Sequence, residues 1–123
     1  MPYRVLIADP HQVMRSRVRT LFENAGWQVV GEAANGKECV EQVEALAPDL
    51  VVLELSMPLK NGVEAAAEIR DIRPSTKLLM FTIHDSEAVH EQILRAGVDA
   101  VVVKPSSGAA LLSAAAKVMG PQS

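Results

Sequence analysis

In the stretch VVLELSMPLKNG, residues 51–62, a strand-like apolar run ends in a single acidic residue. Apolar residues lead directly into Glu54, and Pro58, Asn61 and Gly62 then mark a turn before the next helical pattern. A carboxylate at the end of a buried strand is costly unless a partner uses it. Glu54 is therefore the first candidate functional residue.

Around this stretch, apolar runs of strand length alternate with helical patterns along the whole chain. Three of the runs are apolar almost throughout, which is typical of parallel strands that are covered on both faces. Between the runs, apolar residues recur at three- and four-residue steps. The sequence therefore predicts an α/β domain in which helices cover both faces of a five-stranded parallel sheet. The predicted strands are RVLIA (4–8), QVVGEA (28–33), LVVLEL (50–55), KLLMFT (77–82) and AVVVK (100–104).

Length, charge and composition narrow the function classes. The 123 residues fit one domain, and a hydrophobic content of 49% is enough for a sizeable core. The net charge of −3 argues against a nucleic-acid-binding surface, and we interpret Arg15, Arg17 and Arg19 as a solvated helix face. The single cysteine, Cys39, allows no internal disulfide and is interpreted as a small core or surface residue. Since no apolar run reaches transmembrane length and no leader-like segment precedes the first strand, we expect a cytoplasmic protein without membrane contact.

Four polar residues lie at the carboxyl ends of the predicted strands: Asp9, Glu54, Thr82 and Lys104. Ligands and chemistry in parallel sheets concentrate at this edge, so we expect the four side chains to share one crevice. The set suits phosphoryl chemistry, which uses a carboxylate nucleophile and a second carboxylate to hold Mg²⁺. An ammonium group and a hydroxyl would then contact the phosphoryl oxygens.

These residues and the segments around them resemble the receiver domain of two-component response regulators. The resemblance covers nearly the whole chain, including PDLVVLELSMPLKNGVEAAAEIR and AGVDAVVVKPS, and VVGEAANGKECVE resembles the LuxR/NarL-type subfamily. It implies a three-layer, flavodoxin-like fold with strand order 2-1-3-4-5 and five helices. It further implies a receiver-like domain over residues 1–119, with residues 120–123 as a tail or the start of a linker. A signalling module of this kind is not an enzyme, and its partners are a histidine kinase or an output domain.

The resemblance also assigns roles in a phosphoryl pocket. Glu54 takes the position of the phosphoacceptor aspartate. Thr82 matches the hydroxyl that follows the phosphoryl group, and Lys104 matches the ammonium that pairs with it. Lys104 and Pro105 match a peptide bond that is often cis in the family.

Three departures from the family pattern concern the metal, the acceptor and the switch. Asp9 and the backbone carbonyl of Ser56 match Mg²⁺ ligands of the family, but the second acidic position is Pro10, which offers no side-chain oxygen. Glu54 carries its carboxylate about 1.5 Å further out than an aspartate, and a misplacement of about 1 Å can slow a reaction about 10²-fold. Val101 replaces the switch aromatic. We therefore expect a degenerate receiver that binds Mg²⁺ weakly and is phosphorylated poorly.

The longer side chain of Glu54 predicts an ion pair with Lys104. Such a pair would imitate the phosphorylated state incompletely, with one charge in place of about −1.5 to −2. A phosphate-responsive receiver is the alternative, since glutamate at this position is also a common engineered mimic. Pro10 and Val101 favour natural degeneracy.

Two further function classes fit the same type of sheet. The segment DPH, residues 9–11, resembles the Asp-x-His of cobalamin-binding domains, although Met14 stands where that motif has Gly. A flavin site would need a phosphate-cradling first loop, which PHQVM does not provide. A hydrolase with an acyl intermediate on Glu54 would need a base, for which His84 is the one nearby candidate.

The last helical segment, SGAALLSAAAKVM, is apolar nearly all round and holds one charge, Lys117. Alanine favours helix and tolerates exposure, so the pattern has a purely structural interpretation. The alternative is an interface with a second copy or an output domain through Leu111, Ala114 and Ala116.

Overall fold

The computed structural model describes residues 2–120, in which strands and helices alternate. The strands are β1 (Arg4–Ala8), β2 (Gln28–Ala33), β3 (Leu50–Leu53), β4 (Lys77–Thr82) and β5 (Ala100–Val103). The helices are α1 (Gln12–Asn24), α2 (Gly36–Leu46), α3 (Gly62–Ile72), α4 (Glu87–Arg95) and α5 (Gly108–Met119). None of these helices is long and apolar enough to cross a membrane. Of the predicted tail, residues 121–123 lie outside the described part of the chain.

The sheet is parallel throughout, in the order β2-β1-β3-β4-β5, so the predicted three-layer, flavodoxin-like fold is confirmed. The three central strands β1, β3 and β4 are buried almost throughout, because successive side chains point to opposite faces of the sheet and helices cover both faces. In β3, Val51 and Leu53 join the core under α2, α3 and α4, whereas Leu50 and Val52 join the core under α1 and α5. Cys39 is fully buried in the first core, where desolvation raises the pKa of its thiol to about 12.

Two predicted strands end earlier than expected, β3 by two residues and β5 by one. After Leu53, the N–H of Glu54 still donates to the carbonyl oxygen of Ala8 at 3.0 Å. One residue further on, the carbonyl oxygen of Leu55 instead accepts from the N–H of Gly62 at 2.7 Å, within the following loop. Glu54 therefore stands on the loop side of the strand end.

Side-chain caps explain where four of the helices begin, because each cap accepts a hydrogen bond from an N–H three residues further on. These caps are Asn35, Asn61, Ser86 and Ser107. The N-cap residue of α1, His11, forms no such side-chain bond. Instead, Asp9 Oδ1 accepts from the N–H of His11 at 2.8 Å, which ties the beginning of α1 to a predicted site residue.

The interface predicted on α5 is only partly available to a partner. Leu111 is 1% exposed and belongs to the core beneath the helix, and Ala114 is half-buried against the same core. The prediction that Leu111 is an interface residue is therefore wrong. Leu111 and Ala115, one helical turn apart, both lie on the face of α5 that packs against the sheet. Ala116 is exposed.

The arginines of α1 are not a uniformly solvated face, so that prediction is corrected. The Arg15 side chain is only 15% exposed, and its Nε lies 3.2 Å from Glu32 Oε1. Arg19 Nη1 lies 2.9 Å from Glu32 Oε2. Both ion pairs tie α1 to the edge strand β2, and only Arg17 is fully on the surface.

Candidate functional site

The carboxyl edge of the sheet brings together the four polar residues that the sequence singled out. Asp9 follows β1, Glu54 follows β3, Thr82 ends β4 and Lys104 follows β5. These strands are consecutive in the sheet, so their ends lie side by side. The residues are almost excluded from solvent, with exposures of 4% for Asp9, 7% for Glu54 and 0% for Thr82. The Lys104 side chain is 9% exposed.

The ammonium group of Lys104 lies between two carboxylates. Its Nζ donates a hydrogen bond to Asp9 Oδ2 at 2.8 Å and lies 3.7 Å from Glu54 Oε2. The same Nζ lies 5.1 Å from the centroid of the Phe81 ring, a cation–π arrangement. The sequence predicted an ion pair between Glu54 and Lys104. In the structure Glu54 is the more distant partner, and the hydrogen bond goes to Asp9.

The carboxylate of Glu54 is hydrogen-bonded on one side only. Its Oε1 accepts from Thr82 Oγ1 at 3.2 Å, whereas Oε2 is buried without a hydrogen-bond partner within residues 2–120. Burial raises the pKa of Glu54, because the charged form is poorly solvated there. The charge of Lys104 and the hydrogen bond from Thr82 act in the opposite direction, and the charge of Asp9 raises the pKa further.

The loop after Glu54 has two backbone features that shape the site. A Cβ at position 62 would lie 2.6 Å from the carbonyl oxygen of Glu54, so the close approach of α3 requires Gly62. Leu59 has a φ of 67°, in the left-handed region that a leucine rarely adopts. Its side chain is also 75% exposed.

The remaining predicted residues lie around this centre. The peptide bond between Lys104 and Pro105 is cis, and Pro105 is exposed. Val101, at the predicted switch position, is half-buried and packs against the core under α2, α3 and α4. Ser56 is exposed, and its side chain contacts that of His84.

Two contacts at the site were missed by the sequence interpretation. Arg15 Nη1 donates to the carbonyl oxygen of Asp9 at 2.6 Å, which holds the segment that carries this carboxylate. Ser56 Oγ lies 2.9 Å from His84 Nε2. Ser56 stands two residues after Glu54 and His84 two residues after Thr82. This equal spacing from two neighbouring strand ends is the sequence signal that could have predicted the contact between Ser56 and His84.

The described residues do not fit a Mg²⁺ site well. Asp9 accepts from His11 through Oδ1 and from Lys104 through Oδ2, so both oxygens already have donors. Pro10 contributes no side-chain oxygen, although Mg²⁺ needs near-octahedral oxygen coordination. Within residues 2–120, no group of three or more His, Cys, Asp or Glu side chains could hold a metal ion. A lysine ammonium stands between the two carboxylates that a cation would otherwise bridge.

Comparison with known proteins decides the family. The family model of the response regulator receiver domain matches residues 5–116. The chain belongs to this family. It is 36% identical over 118 residues to the chemotaxis protein CheY of Thermotoga maritima, across 96% of this chain and 98% of CheY. It is 37% identical over 116 residues to the transcriptional regulatory protein PdtaR of Mycobacterium tuberculosis, across 93% of this chain and 55% of PdtaR.

A solved structure extends the comparison of this receiver domain to three dimensions. A LuxR-family two-component response regulator from Aurantimonas has a TM-score of 0.92 and 32% identity, with 97% of this chain and 86% of that chain covered. This receiver is therefore a module of two-component signal transduction, and its neighbours include the predicted LuxR/NarL-type regulators. Receiver domains commonly bind Mg²⁺ at the phosphorylation site, and they interact with kinases and output domains.

Proposed function

We propose that this domain is a pseudo-receiver, which signals through protein contacts and is not switched by efficient phosphorylation of Glu54. The observation that carries the proposal is the position of the Lys104 ammonium between Asp9 and Glu54. In this proposal, the buried group of two carboxylates and one ammonium takes the place of the metal ion and the phosphoryl group. Lys104 already donates a hydrogen bond to Asp9, so phosphoryl oxygens would compete with this ion pair for its charge.

The setting of Glu54 is poorly suited to phosphoryl transfer. Thr82 already donates to Glu54 Oε1, so the hydroxyl is also engaged. Pro10 supplies no second carboxylate to hold a divalent ion, so Lys104 alone must neutralise the charge of an incoming donor. The added methylene displaces the acceptor by about 1.5 Å, and an error of about 1 Å can slow transfer about 10²-fold.

The state of this pseudo-receiver is proposed to be fixed. Glu54 places a single negative charge near Thr82 and Lys104, less than the charge of about −1.5 to −2 on a phosphoryl group. Val101 has no aromatic ring that could change position with the state of the pocket. Both features support a constant or weakly biased surface.

The partners follow from the same proposal. We place the protein in the cytoplasm, where it binds a histidine kinase or regulates a DNA-binding output domain. The chain spans about half the length of PdtaR, which is named as a transcriptional regulatory protein. The net charge of −3 supports protein partners over direct nucleic-acid contact. No enzymatic activity of its own is proposed.

Intact-mass measurement after incubation with acetyl phosphate and Mg²⁺ tests the proposal. We expect no phosphoryl adduct on the unmodified protein. The double variant Pro10→Asp/Glu54→Asp restores both carboxylates at their usual reach and should gain an adduct. The single variant Glu54→Asp should gain far less, because its metal site is still incomplete. A hydroxylamine-sensitive adduct on Glu54 of the unmodified protein would overturn the proposal in favour of a phosphate-responsive receiver.

A further inference from the structure

A groove of about 1020 Å³ lies between α3 and α4. Val63 and Ala67, four residues apart, form its wall on α3. Val89, Gln92 and Ala96 follow the spacing i, i+3 and i+7 and form the wall on α4 and at its end. Because a helix rises about 1.5 Å per residue, this second wall is about 10 Å long, or about two turns.

The floor of the groove is apolar and continuous with the interior of the protein. Leu55, Val63, Val89 and Ala96 line the groove and are half-buried, and they pack against the core under α2, α3 and α4. Met57, which is 9% exposed, belongs to the same core and also lines the groove. A molecule with an apolar body that covers this floor would remove the remaining apolar surface from water, which favours binding.

The polar groups of the groove differ between its two ends. Near the carboxyl edge of the sheet, Ser56 Oγ and His84 Nε2 lie 2.9 Å apart and satisfy each other. The other end carries the guanidinium group of Arg95, the last residue of α4. No acidic side chain is among the described lining residues. The groove therefore presents a positive charge at the end of an apolar surface.

The guanidinium group of Arg95 is available to an anion. Its Nη2 lies 3.7 Å from Glu91 Oε1, and the two side chains are 78% and 72% exposed. An ion pair with this exposure contributes little to stability. A carboxylate that approaches along the groove can replace it with two parallel hydrogen bonds, which guanidinium groups form readily with carboxylates.

We propose that this groove binds a small molecule with an apolar body and a terminal carboxylate, such as a medium-chain fatty acid. The volume of about 1020 Å³ lies at the upper end of the range of about 300–1,000 Å³ that is typical of small-molecule sites. The apolar body covers the floor, and the carboxylate meets Arg95. Glu54 and Lys104 lie outside the lining, so this site goes beyond the proposed function and does not depend on it.

Titration of the ¹⁵N-labelled full chain with octanoate tests the proposal. We expect saturable shifts of amide resonances in residues 63–67 and 89–96. Octylammonium is the matched control with the opposite charge, and it should bind about tenfold more weakly because like charges meet at Arg95. Butyrate keeps the carboxylate but lacks four methylene groups, so its affinity should be lower by about tenfold or more.

Two substitutions in the protein complete the test. Arg95→Glu should invert the preference between octanoate and octylammonium, whereas Arg17→Glu, on the exposed surface of α1, should leave it unchanged. Ala67→Phe should weaken octanoate binding about tenfold or more, because the ring fills the space between α3 and α4.

Three outcomes would overturn the inference: no saturable binding, equal affinity for octanoate and octylammonium, or unchanged octanoate affinity in Ala67→Phe. Shifts spread over exposed apolar residues outside the groove would likewise count against it, because they indicate detergent-like contact. None of these outcomes affects the mass measurement, which tests the proposed function separately.

Discussion

Lys104 holds the site in its present form, because it is the cation nearest to both buried carboxylates. Its side chain is 9% exposed and that of Asp9 is 6% exposed, so neither charge is solvated well by water. Removal of one member of a buried ion pair leaves the other charge uncompensated. The contribution of Lys104 should therefore be visible in stability as well as in function.

Replacement of Lys104 by methionine should lower the free energy of unfolding by about 3–5 kcal/mol. Urea denaturation at neutral pH measures the change. In the Lys104→Met background, Asp9→Asn should recover more stability than Glu54→Gln, because the 2.8 Å hydrogen bond goes to Asp9 and Glu54 lies at 3.7 Å. Equal recovery by the two second substitutions would contradict the geometry of the ion group.

The pKa of Glu54 gives a second prediction at this scale. Burial raises this pKa in the folded state. The resulting stabilisation is complete below the unfolded pKa and is lost as the pH rises through the folded pKa. The variant Glu54→Gln cannot ionise. It should therefore gain stability relative to the unmodified protein as the pH rises above about 4, by an amount on the order of 1 kcal/mol.

Urea denaturation at several pH values checks this expectation, with Glu91→Gln as the control. The Glu91 side chain is 72% exposed, so its substitution should show no comparable trend. A stability difference for Glu54→Gln that stays constant with pH, or falls as the pH rises, would refute the prediction.

At the scale of elements, the loop from β3 to α3 holds Glu54 at the cost of a strained residue. Leu59 has a φ of 67°, which a leucine adopts only with an energetic penalty. The variant Leu59→Gly should raise the free energy of unfolding by about 0.5–1 kcal/mol, after the flexibility of glycine in the unfolded chain is subtracted. Leu59→Ala keeps the penalty and should show no such gain in a thermal melt. Equal stability of the two variants would argue against backbone strain.

The start of α3 is the second element that positions this loop. Asn61 accepts from the N–H of Glu64, and the Glu64 side chain accepts from the N–H of Asn61. Asn61→Ala should cost about 1 kcal/mol. The loss should be similar to that of Ser86→Ala at α4, because each substitution removes one side-chain cap bond and Asn61→Ala keeps the backbone N–H that donates to Glu64. Chemical denaturation of the two variants compares the caps, and a neutral Asn61→Ala would contradict the argument.

For the whole molecule, the exposed surface of α5 leads to a prediction about association with a second copy. Ala116 is the one exposed residue of the three predicted there. A lysine at this position should shift sedimentation towards the monomer if a second copy packs on this face, because a charge would be buried. Ala67→Lys, an exposed alanine on α3, is the matched control. Unchanged assembly of Ala116→Lys would remove α5 as a dimer surface.

The apolar periodicity of the sequence was enough to predict much of the architecture. Strands β1, β2 and β4 begin and end where the sequence predicted. For β1 and β4 the reason is that burial on both faces demands continuous apolar runs. The end of β3 could not be predicted from the sequence, because it depends on where the neighbouring strands stop offering hydrogen bonds. The burial of Leu111 could not be predicted from the sequence either, because an apolar side chain suits a core and an interface equally well. Only the rotation of α5 against the sheet assigns it to the core.

Apolar periodicity and the residues at the strand ends were enough to predict the parallel α/β fold and the four side chains that meet at its carboxyl edge. How these side chains share their charges could be seen only in three dimensions. Thr82 holds one oxygen of Glu54, and Lys104 lies closer to Asp9 than to Glu54. An ammonium group approaches one of two carboxylates according to strand offsets and side-chain reach in three dimensions. The order of residues along the chain does not encode these quantities directly.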